Sequence, residues 1–224
     1  MLTDLALLRL LQLVSPGLPI GMYSYSQGFE GAVEEGWVAD AEQAGEWIGG
    51  LLEHCLARVD IPLAARLYDA WRIDDLEAIE RWSEMLLSCR ETAELRDEDR
   101  QMGQALARLL ADMHLPAAKP WVRYRGATLA SMYALAAVSW GIPKREALAG
   151  YCWGWLENQV LCAVKLVPLG QVAGQRLLHE LAEKIPVLLE LAMRLEDDQI
   201  GGSVFALALA GSRHEVQYSR LFRS

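Results

Sequence analysis

The chain has little of what metal sites and disulfide frameworks require. Its 224 residues include four cysteines that lie far apart without a Cys-x-x-Cys pair, and four histidines that are scattered singly along the chain. Cysteines spaced in this way do not predict disulfides or a structural zinc site, and scattered histidines do not predict a tight metal store. Runs of alternating β-branched residues are also lacking, which argues against a sheet. We therefore expect buried free thiols and neither a bound metal nor a cofactor.

The common catalytic motifs are missing as well. No lysine follows a glycine, so the chain lacks a P-loop, and no Gly-x-Ser-x-Gly elbow occurs. The stretch His179 to Glu183 comes nearest to a zinc-hydrolase helix, but the second histidine is absent. No histidine has a glutamate three positions before it, as di-iron bundles require. These absences favour a protein that is not an enzyme.

Long apolar runs and strong positive charge are lacking too. The most apolar stretch, 147–167, contains Glu157 and Lys165, which are costly to place in hydrocarbon. The first twenty residues do not have the basic, apolar and small-residue regions of a signal peptide. The net charge is −9, whereas nucleic-acid binding needs a dense basic surface. We expect a soluble, cytoplasmic protein that binds neither membranes nor nucleic acid.

Helical patterns fill most of the chain. Hydrophobic residues make up 53% of it and recur every three to four positions, as on amphipathic helices. We expect one all-α domain over 1–224, a compact helical bundle of about nine or ten helices. The predicted helices are 5–14, 24–35, 40–59, 60–71, 74–89, 90–113, 126–140, 143–164, 171–196 and 203–215.

Local features refine this plan. Asp60 and Pro62 fit the first turn of a separate helix, and Pro186 is expected to kink helix 171–196. Opposite charges lie three and four residues apart in 90–100, which is typical of a solvent-facing helix surface. Segment 114–120 has two prolines and no periodicity, so it favours a connection between two helical halves.

Two segments contain more prolines, glycines, aromatics or arginines than an ordinary core or linker. Segment 15–30 has two prolines, three glycines and two tyrosines, which fits either a rigid buried corner or a binding loop. Segment 217–224 alternates aromatic or aliphatic residues with arginines, a composition typical of interface hot spots. We expect residues 216–224 to form a flexible tail that docks on a partner protein.

Four stretches in order resemble the urease accessory protein F (UreF) family, and the resemblance covers nearly the whole chain. They are SPGLPIGMYSYSQGFE at 15–30, CRETAELRDEDRQMG at 89–103, KLVPLGQ at 165–171 and QYSRLFRS at 217–224. The resemblance implies an all-helical, dimeric, non-catalytic scaffold. Such a scaffold joins the D- or H-type accessory protein and the GTPase G in a complex that delivers nickel to apo-urease.

The same resemblance implies which residues contact the partners. The D/H-type protein would bind the C-terminal segment through Arg213, Tyr218, Arg220, Leu221, Phe222 and Arg223. The GTPase would contact Tyr23, Glu30 and Lys165. Whether Lys165 is a buried, paired charge or is exposed to a partner stays open on sequence alone.

Two other functions also stay open on the residues alone. Dispersed carboxylates of the acidic first half could serve a helical enzyme, and a nickel-storing chaperone is the second alternative, although the histidines are scattered. Glu30, Glu34 and Glu35 could line a polar route for a divalent ion, or they could form an ordinary solvent-facing acidic helix.

Overall fold

The protein is an all-helical bundle. A computed structural model describes residues 2–224, and within them every regular element is a helix. The α-helices are α1 (Asp4–Leu13), α2 (Phe29–Glu34), α3 (Ala41–Leu51), α4 (Ile61–Arg72), α5 (Leu76–Ser88), α6 (Ala93–Asp112), α7 (Leu129–Ser139), α8 (Lys144–Leu166), α9 (Gln171–Ala182), α10 (Ile185–Met193) and α11 (Phe205–His214). Short 3₁₀ turns occupy Met22–Ser24, Pro116–Arg123 and Asp197–Gln199. The predicted compact bundle of about nine or ten helices is confirmed.

Side-chain caps explain where many helices begin. Thr3, Asp40, Asp75, Thr92 and Thr128 each accept a hydrogen bond from a backbone amide in the first turn of the helix that follows, at 2.9 to 3.2 Å. These bonds satisfy amides that have no partner within the helix, and each cap contributes about 1 kcal/mol.

Helix α2 is shorter than the sequence predicts. Gln27 and Gly28 have positive φ values of 53° and 79°, so the chain turns sharply before the helix begins at Phe29. The predicted start at Ser24 is therefore five residues too early. This turn directs residues 24–27 across α8, where they become part of the site described below.

Helix α7 forms the centre of the bundle. Every residue from Leu129 to Ala137 is buried, because α4, α5, α6 and α8 all pack against this helix. Close packing with α6 depends on Gly103, where a Cβ atom would lie 2.4 Å from the carbonyl oxygen of Ala127. A side chain at that position would push the two segments apart.

Helix α4 begins at Ile61 with Pro62 in its first turn, next to the predicted start at Asp60, but it is not a separate helix. The helix runs without interruption from Ala41 to Arg72, because a nine-residue π-helix, Leu52–Asp60, joins α3 to α4. Asp60 has helical φ and ψ values of −66° and −50°, and its carboxylate accepts a hydrogen bond from Arg90 instead of capping a helix. A distant segment also bonds to the π-helix: the amide of Gly201 donates a hydrogen bond to the carbonyl of Arg58 at 3.2 Å.

Two further expectations need correction. The charged run 90–100 is not solvent-facing throughout, because Glu98 and Asp99 are buried and Asp99 pairs with Arg90. Pro186 does not kink a long helix. Instead, α9 ends at Ala182 and α10 begins at Ile185, with Pro186 in its first turn, where a missing amide hydrogen costs little.

The longest helix, α8, has 23 residues and places Asn158 and Gln159 in the protein interior. Among residues 2–224, no helix is long and apolar enough to cross a membrane.

Candidate partner-docking site at the C-terminal segment

Residues 216–224, called the tail here, lie in a groove of the chain's own surface. The groove is formed by residues 23–30, the first turns of α6 and the C-terminal half of α8. Two backbone hydrogen bonds fix the end of the tail, from Ser26 N–H to the carbonyl of Ser224 and from Arg223 N–H to the carbonyl of Ser24, both at 2.9 Å. Phe222 and Ser224 are buried. The tail is therefore bound in this groove, although the side chains of Tyr218, Arg220, Leu221 and Arg223 are exposed.

Helix α8 orders the loop that binds the tail. Asn158 donates to the carbonyl of Tyr25 at 2.9 Å, and Gln159 donates to the carbonyl of Ser26 at 3.1 Å. Trp155, on the same face of α8, donates from its indole nitrogen to the side chain of Gln27. The loop backbone is thus fixed by buried amides. Residues 24–27 form the rigid corner that the sequence left as one of two alternatives, and this corner contacts the tail.

Glu30 lies beneath the tail. Its two carboxylate oxygens accept hydrogen bonds from the backbone amides of Leu221 and Phe222, at 2.7 and 2.8 Å. Only 6% of the residue is exposed. Hydrogen bonds to an ionised, buried carboxylate are stronger than neutral ones, so Glu30 is well placed to fix the direction of the tail.

His214, at the end of α11, contacts two carboxylates. Its Nε2 lies 3.3 Å from Glu30 and its Nδ1 lies 2.7 Å from Glu94, and the residue is fully buried. Glu94 also accepts a hydrogen bond from Arg220 in the tail. The close approach of α11 to α2 that this requires depends on Gly31, where a Cβ would lie 2.5 Å from the carbonyl oxygen of Ala210.

Glu98 lies below the end of the tail and is 2% exposed. Its carboxyl group accepts hydrogen bonds from Gln27 and from the hydroxyl of Ser224, both at 2.6 Å. Burial raises the pKa of Glu98 to about 7, even though these two donors and Arg90 favour the ionised form.

A second cluster of buried charges lies beside Glu98. Arg90 donates to Asp60 and to Asp99, at 2.5 and 2.8 Å, and Asp99 also accepts the amide of Leu129 at the start of α7. These groups and Glu98 line a cavity of about 80 Å³. A buried pair of this kind is costly to break, so the cluster links the π-helix, α6 and α7 below the groove.

The remaining residues predicted for the D/H-type protein lie in the tail or beside it. Tyr218, Arg220, Leu221 and Arg223 are exposed. The positive charge of Arg223 lies near the Tyr25 hydroxyl and partly offsets the increase in the pKa of Tyr25 that burial causes. Arg213, outside the tail, pairs with Glu35 and stacks over the Trp37 ring.

The residues predicted for the GTPase lie next to those predicted for the D/H-type protein. Lys165 is exposed, and its Nζ lies 5.2 Å from the centre of the Phe222 ring, a cation–π distance. Glu30 binds the tail backbone, and Tyr23 donates to Glu157 on α8 at 2.9 Å. Lys165 and Glu30 therefore meet the D/H-type set at the tail, whereas Tyr23 contacts α8.

The three glutamates of the suggested ion route have different environments. Glu30 is bound to the tail, Glu35 pairs with Arg213, and Glu34 is exposed. Across the described residues, 2–224, no group of three or more histidines, cysteines or acids is arranged to hold a metal ion.

Several residues of the groove were not predicted. They are Ser26, Glu94, Glu98 and His214. A lone histidine gives no local signal when its partners are 120 and 184 residues away. Helical spacing could have indicated one pair, because Glu94 and Glu98 lie four residues apart and share a face of α6.

Comparison with known proteins identifies the family. The family model UreF matches residues 38–182. A urease accessory protein UreF of Alkalilimnicola ehrlichii is 56% identical over 220 residues, which is 98% of this chain and 96% of the relative. Proteins of the same name are 50% identical in Pseudomonas putida W619, over 99% of both chains, and 45% identical in Pseudoalteromonas translucida, over 99% of this chain and 96% of the relative. With a family model that matches most of its length and relatives this similar, the chain belongs to the UreF family of urease accessory proteins.

Proposed function

We propose that the protein is a non-catalytic scaffold of urease maturation, which joins a D/H-type accessory protein and the G-type GTPase so that nickel reaches apo-urease in the cytoplasm. Membership of the UreF family supports the role in urease maturation. One observation supports the bridging role. The bound tail brings the residues expected to contact each partner into contact with each other, at Lys165 and Phe222 and at Glu30 and Leu221.

The outward side chains of the tail suit docking of the D/H-type protein. Tyr218 is fully exposed and Leu221 is 65% exposed, beside the exposed Arg220 and Arg223. Tyrosine and arginine are enriched among the residues that dominate binding energy at interfaces. Because Glu30 and Ser24 already bond the tail backbone, less entropy is lost when a partner binds.

Lys165 and Tyr23 suit contact with the GTPase. The Lys165 ammonium group is exposed and lies over Phe222, so the position of the tail affects where this charge is presented. A partner that binds the outer face of the tail and a partner that contacts Lys165 would then lie side by side. This arrangement is what a bridging scaffold requires.

Helix α1 offers a surface for a second copy of the chain. Leu5, Leu7, Leu8 and Leu11 are 42% to 64% exposed on one ten-residue helix, while Ala6 and Leu13 pack inward. Four exposed leucines on one short helix are unusual for a surface that faces only water. We propose that this face pairs two copies as a homodimer. By light scattering, the wild-type protein is expected to have the mass of a dimer and a Leu8→Glu variant the mass of a monomer. If the variant has the same mass as the wild type, this interface is wrong.

The buried carboxylates favour the scaffold over an enzyme that uses dispersed acids. Asp60 and Asp99 are paired with Arg90, and Glu98 is bonded to Gln27 and Ser224. The two aspartates are thus held by a structural cation, and neither is free to transfer a proton to a substrate.

Binding to purified partners tests the proposal. A Tyr218→Ala, Leu221→Ala double variant is expected to reduce recovery of the tagged D/H-type protein, whereas Lys165→Ala should reduce recovery of the GTPase. Ser219→Ala, an exposed change in the same segment, is the matched control and should bind both. Full recovery of both partners by the double variant and by Lys165→Ala would contradict the proposal. Equilibrium dialysis that shows tight, stoichiometric nickel binding by the isolated protein would favour nickel storage instead.

A further inference from the structure

The turn before α2 has an unusual residue in a left-handed conformation. Among residues 2–224, three residues other than glycine have positive φ values: Gln27 at 53°, Asp74 at 57° and His114 at 64°. Aspartate and histidine are enriched in this region, and both residues lie just past the end of a helix, where such a conformation is common. Gln27 has neither reason to adopt it. Its backbone conformation therefore costs free energy that another contact must offset.

The side chain of Gln27 supplies that contact. Its NH₂ group donates to Glu98 on α6 at 2.6 Å, and its amide oxygen accepts a hydrogen bond from the indole of Trp155 on α8. An indole nitrogen only donates, whereas a carboxylate oxygen accepts, so the residue between them must offer one acceptor and one donor. A glutamine amide offers both. The side chain of Gln27 thus joins α6 to α8 at the turn.

The turn separates two groups that bind the tail. On one side, the amide of Ser26 donates to the carbonyl of Ser224 at 2.9 Å, and on the other, Glu30 accepts two backbone amides of the tail. The amides of α8 bond the carbonyls of residues 25 and 26, before the turn. The side chain of Gln27 holds the turn itself, and so it sets the spacing at which Ser26 and Glu30 both engage the tail.

Two further contacts connect this turn to the tail. Glu98 accepts a hydrogen bond from the hydroxyl of Ser224 as well as from Gln27, so one buried carboxyl group bonds both segments. Gly28, the next residue of the turn, lies against α11, where a Cβ atom would be 2.9 Å from Leu207. Helix α11 leads into the tail. The position of the turn is therefore coupled to both ends of the tail.

We propose that Gln27 is a positioning residue of the docking site, whose side chain holds the turn between α6 and α8 and so fixes the tail where the D/H-type protein binds it. Gln27 is half-buried and acts through Ser26, Glu30 and Glu98. This role rests on the proposed function, because the tail is its docking element.

Replacement of Gln27 by glycine separates the side chain from the backbone. Glycine adopts positive φ without steric cost, so Gln27→Gly permits the turn but loses both side-chain bonds. In the isolated, full-length protein, the amides of Phe222 and Arg223 should exchange roughly tenfold faster, because the bonds that hold the turn are lost. Recovery of the tagged D/H-type protein should fall as well. Wild-type behaviour of Gln27→Gly in both assays would show that the turn needs no side chain, and would overturn the proposal.

A double variant tests whether Gln27 acts together with Trp155. Trp155→Phe removes the indole N–H and keeps an aromatic ring, so it should speed exchange of the same tail amides by roughly fivefold. In Gln27→Gly that hydrogen bond is already lost. Addition of Trp155→Phe to Gln27→Gly should therefore change little, whereas independent effects would multiply to roughly fiftyfold. Losses that multiply would contradict the bridge between α6 and α8.

His114→Gly is the matched control. His114 has a φ value similar to that of Gln27, but its side chain is exposed. The control should leave tail exchange and partner recovery unchanged, and exchange of the central α7 amides reports whether each variant is folded. If Gln27→Gly does not fold, Trp155→Phe decides, because wild-type protection of the tail amides in that variant would refute the role of Gln27.

The exchange assay needs no partner, so failure of this role and failure of the scaffold are distinguishable. Unchanged tail exchange in Gln27→Gly, with normal recovery of both partners, would refute the role of Gln27 and leave the scaffold. A loosened tail with undiminished recovery of the D/H-type protein would also overturn the role in docking. A wild-type protein that recovers neither partner would refute the scaffold, whatever the exchange of Gln27→Gly.

Discussion

Replacement of Glu30 by glutamine is expected to release the tail without unfolding the helical core. The carboxylate of Glu30 accepts the amides of Leu221 and Phe222 and faces His214, and all of these contacts lie at the groove, away from α7. Glutamine has nearly the same size, so packing changes little. However, it carries only one acceptor oxygen, and its NH₂ group would face a backbone amide that also donates.

The size of the effect follows from these contacts. At least one charge-assisted hydrogen bond is lost, worth about 1.5 to 3 kcal/mol, and one amide is left buried without a partner. The contact with His214 weakens as well, because the negative charge is removed. Binding of the tail should therefore weaken by about 3 kcal/mol, which is roughly a hundredfold in its equilibrium constant.

The assay is amide exchange of Leu221 and Phe222 at a fixed pH near 6, together with recovery of the D/H-type protein. In Glu30→Gln both amides should exchange roughly a hundredfold faster, while the α7 amides keep their protection. Glu34→Gln, one helical turn later on α2 and exposed, is the matched control and should resemble the wild type. Unchanged protection at Leu221 and Phe222 in Glu30→Gln would refute the reasoning that Glu30 fixes the tail.

Three further predictions concern single positions. Gly103→Ala should lower the melting temperature by roughly 5 °C or more, because the added methyl group meets a backbone carbonyl, and an unchanged thermal melt would show that α6 can move aside. Arg90→Leu should cost about 3 to 5 kcal/mol in chemical denaturation at neutral pH, because two buried aspartates lose their cation, and a loss below 1 kcal/mol would contradict the buried pairing. Lys165→Ala should leave the thermal melt nearly unchanged while it weakens binding of the GTPase. A large fall in melting temperature would instead indicate a structural role for this lysine.

Helices could be predicted from the sequence where local signals decide them. Threonine and aspartate caps define the starts of α1, α3, α5, α6 and α7, and these signals depend only on the next three residues. The start of α2 could not be predicted, because it depends on how residues 24–27 bond to buried amides of α8. The same is true of Asp60, whose partner Arg90 lies thirty residues away.

The groove was predictable only in part, for a related reason. The composition of the tail predicts an interface, and the family resemblance predicts that Glu30 and Lys165 matter. Neither indicates that these residues contact the tail, because the contacts join segments up to 198 residues apart. His214 gave no signal at all, since a single histidine on a helix acquires a role only through the carboxylates that the fold places around it.

Co-expression with a D/H-type accessory protein and the GTPase, followed by light scattering of the purified material, tests the central claim most directly. The scaffold account predicts one complex that contains all three proteins in the wild type. It also predicts that the Tyr218→Ala, Leu221→Ala variant loses the D/H-type protein. If the wild-type chain elutes apart from both partners in size-exclusion chromatography, the scaffold account is contradicted.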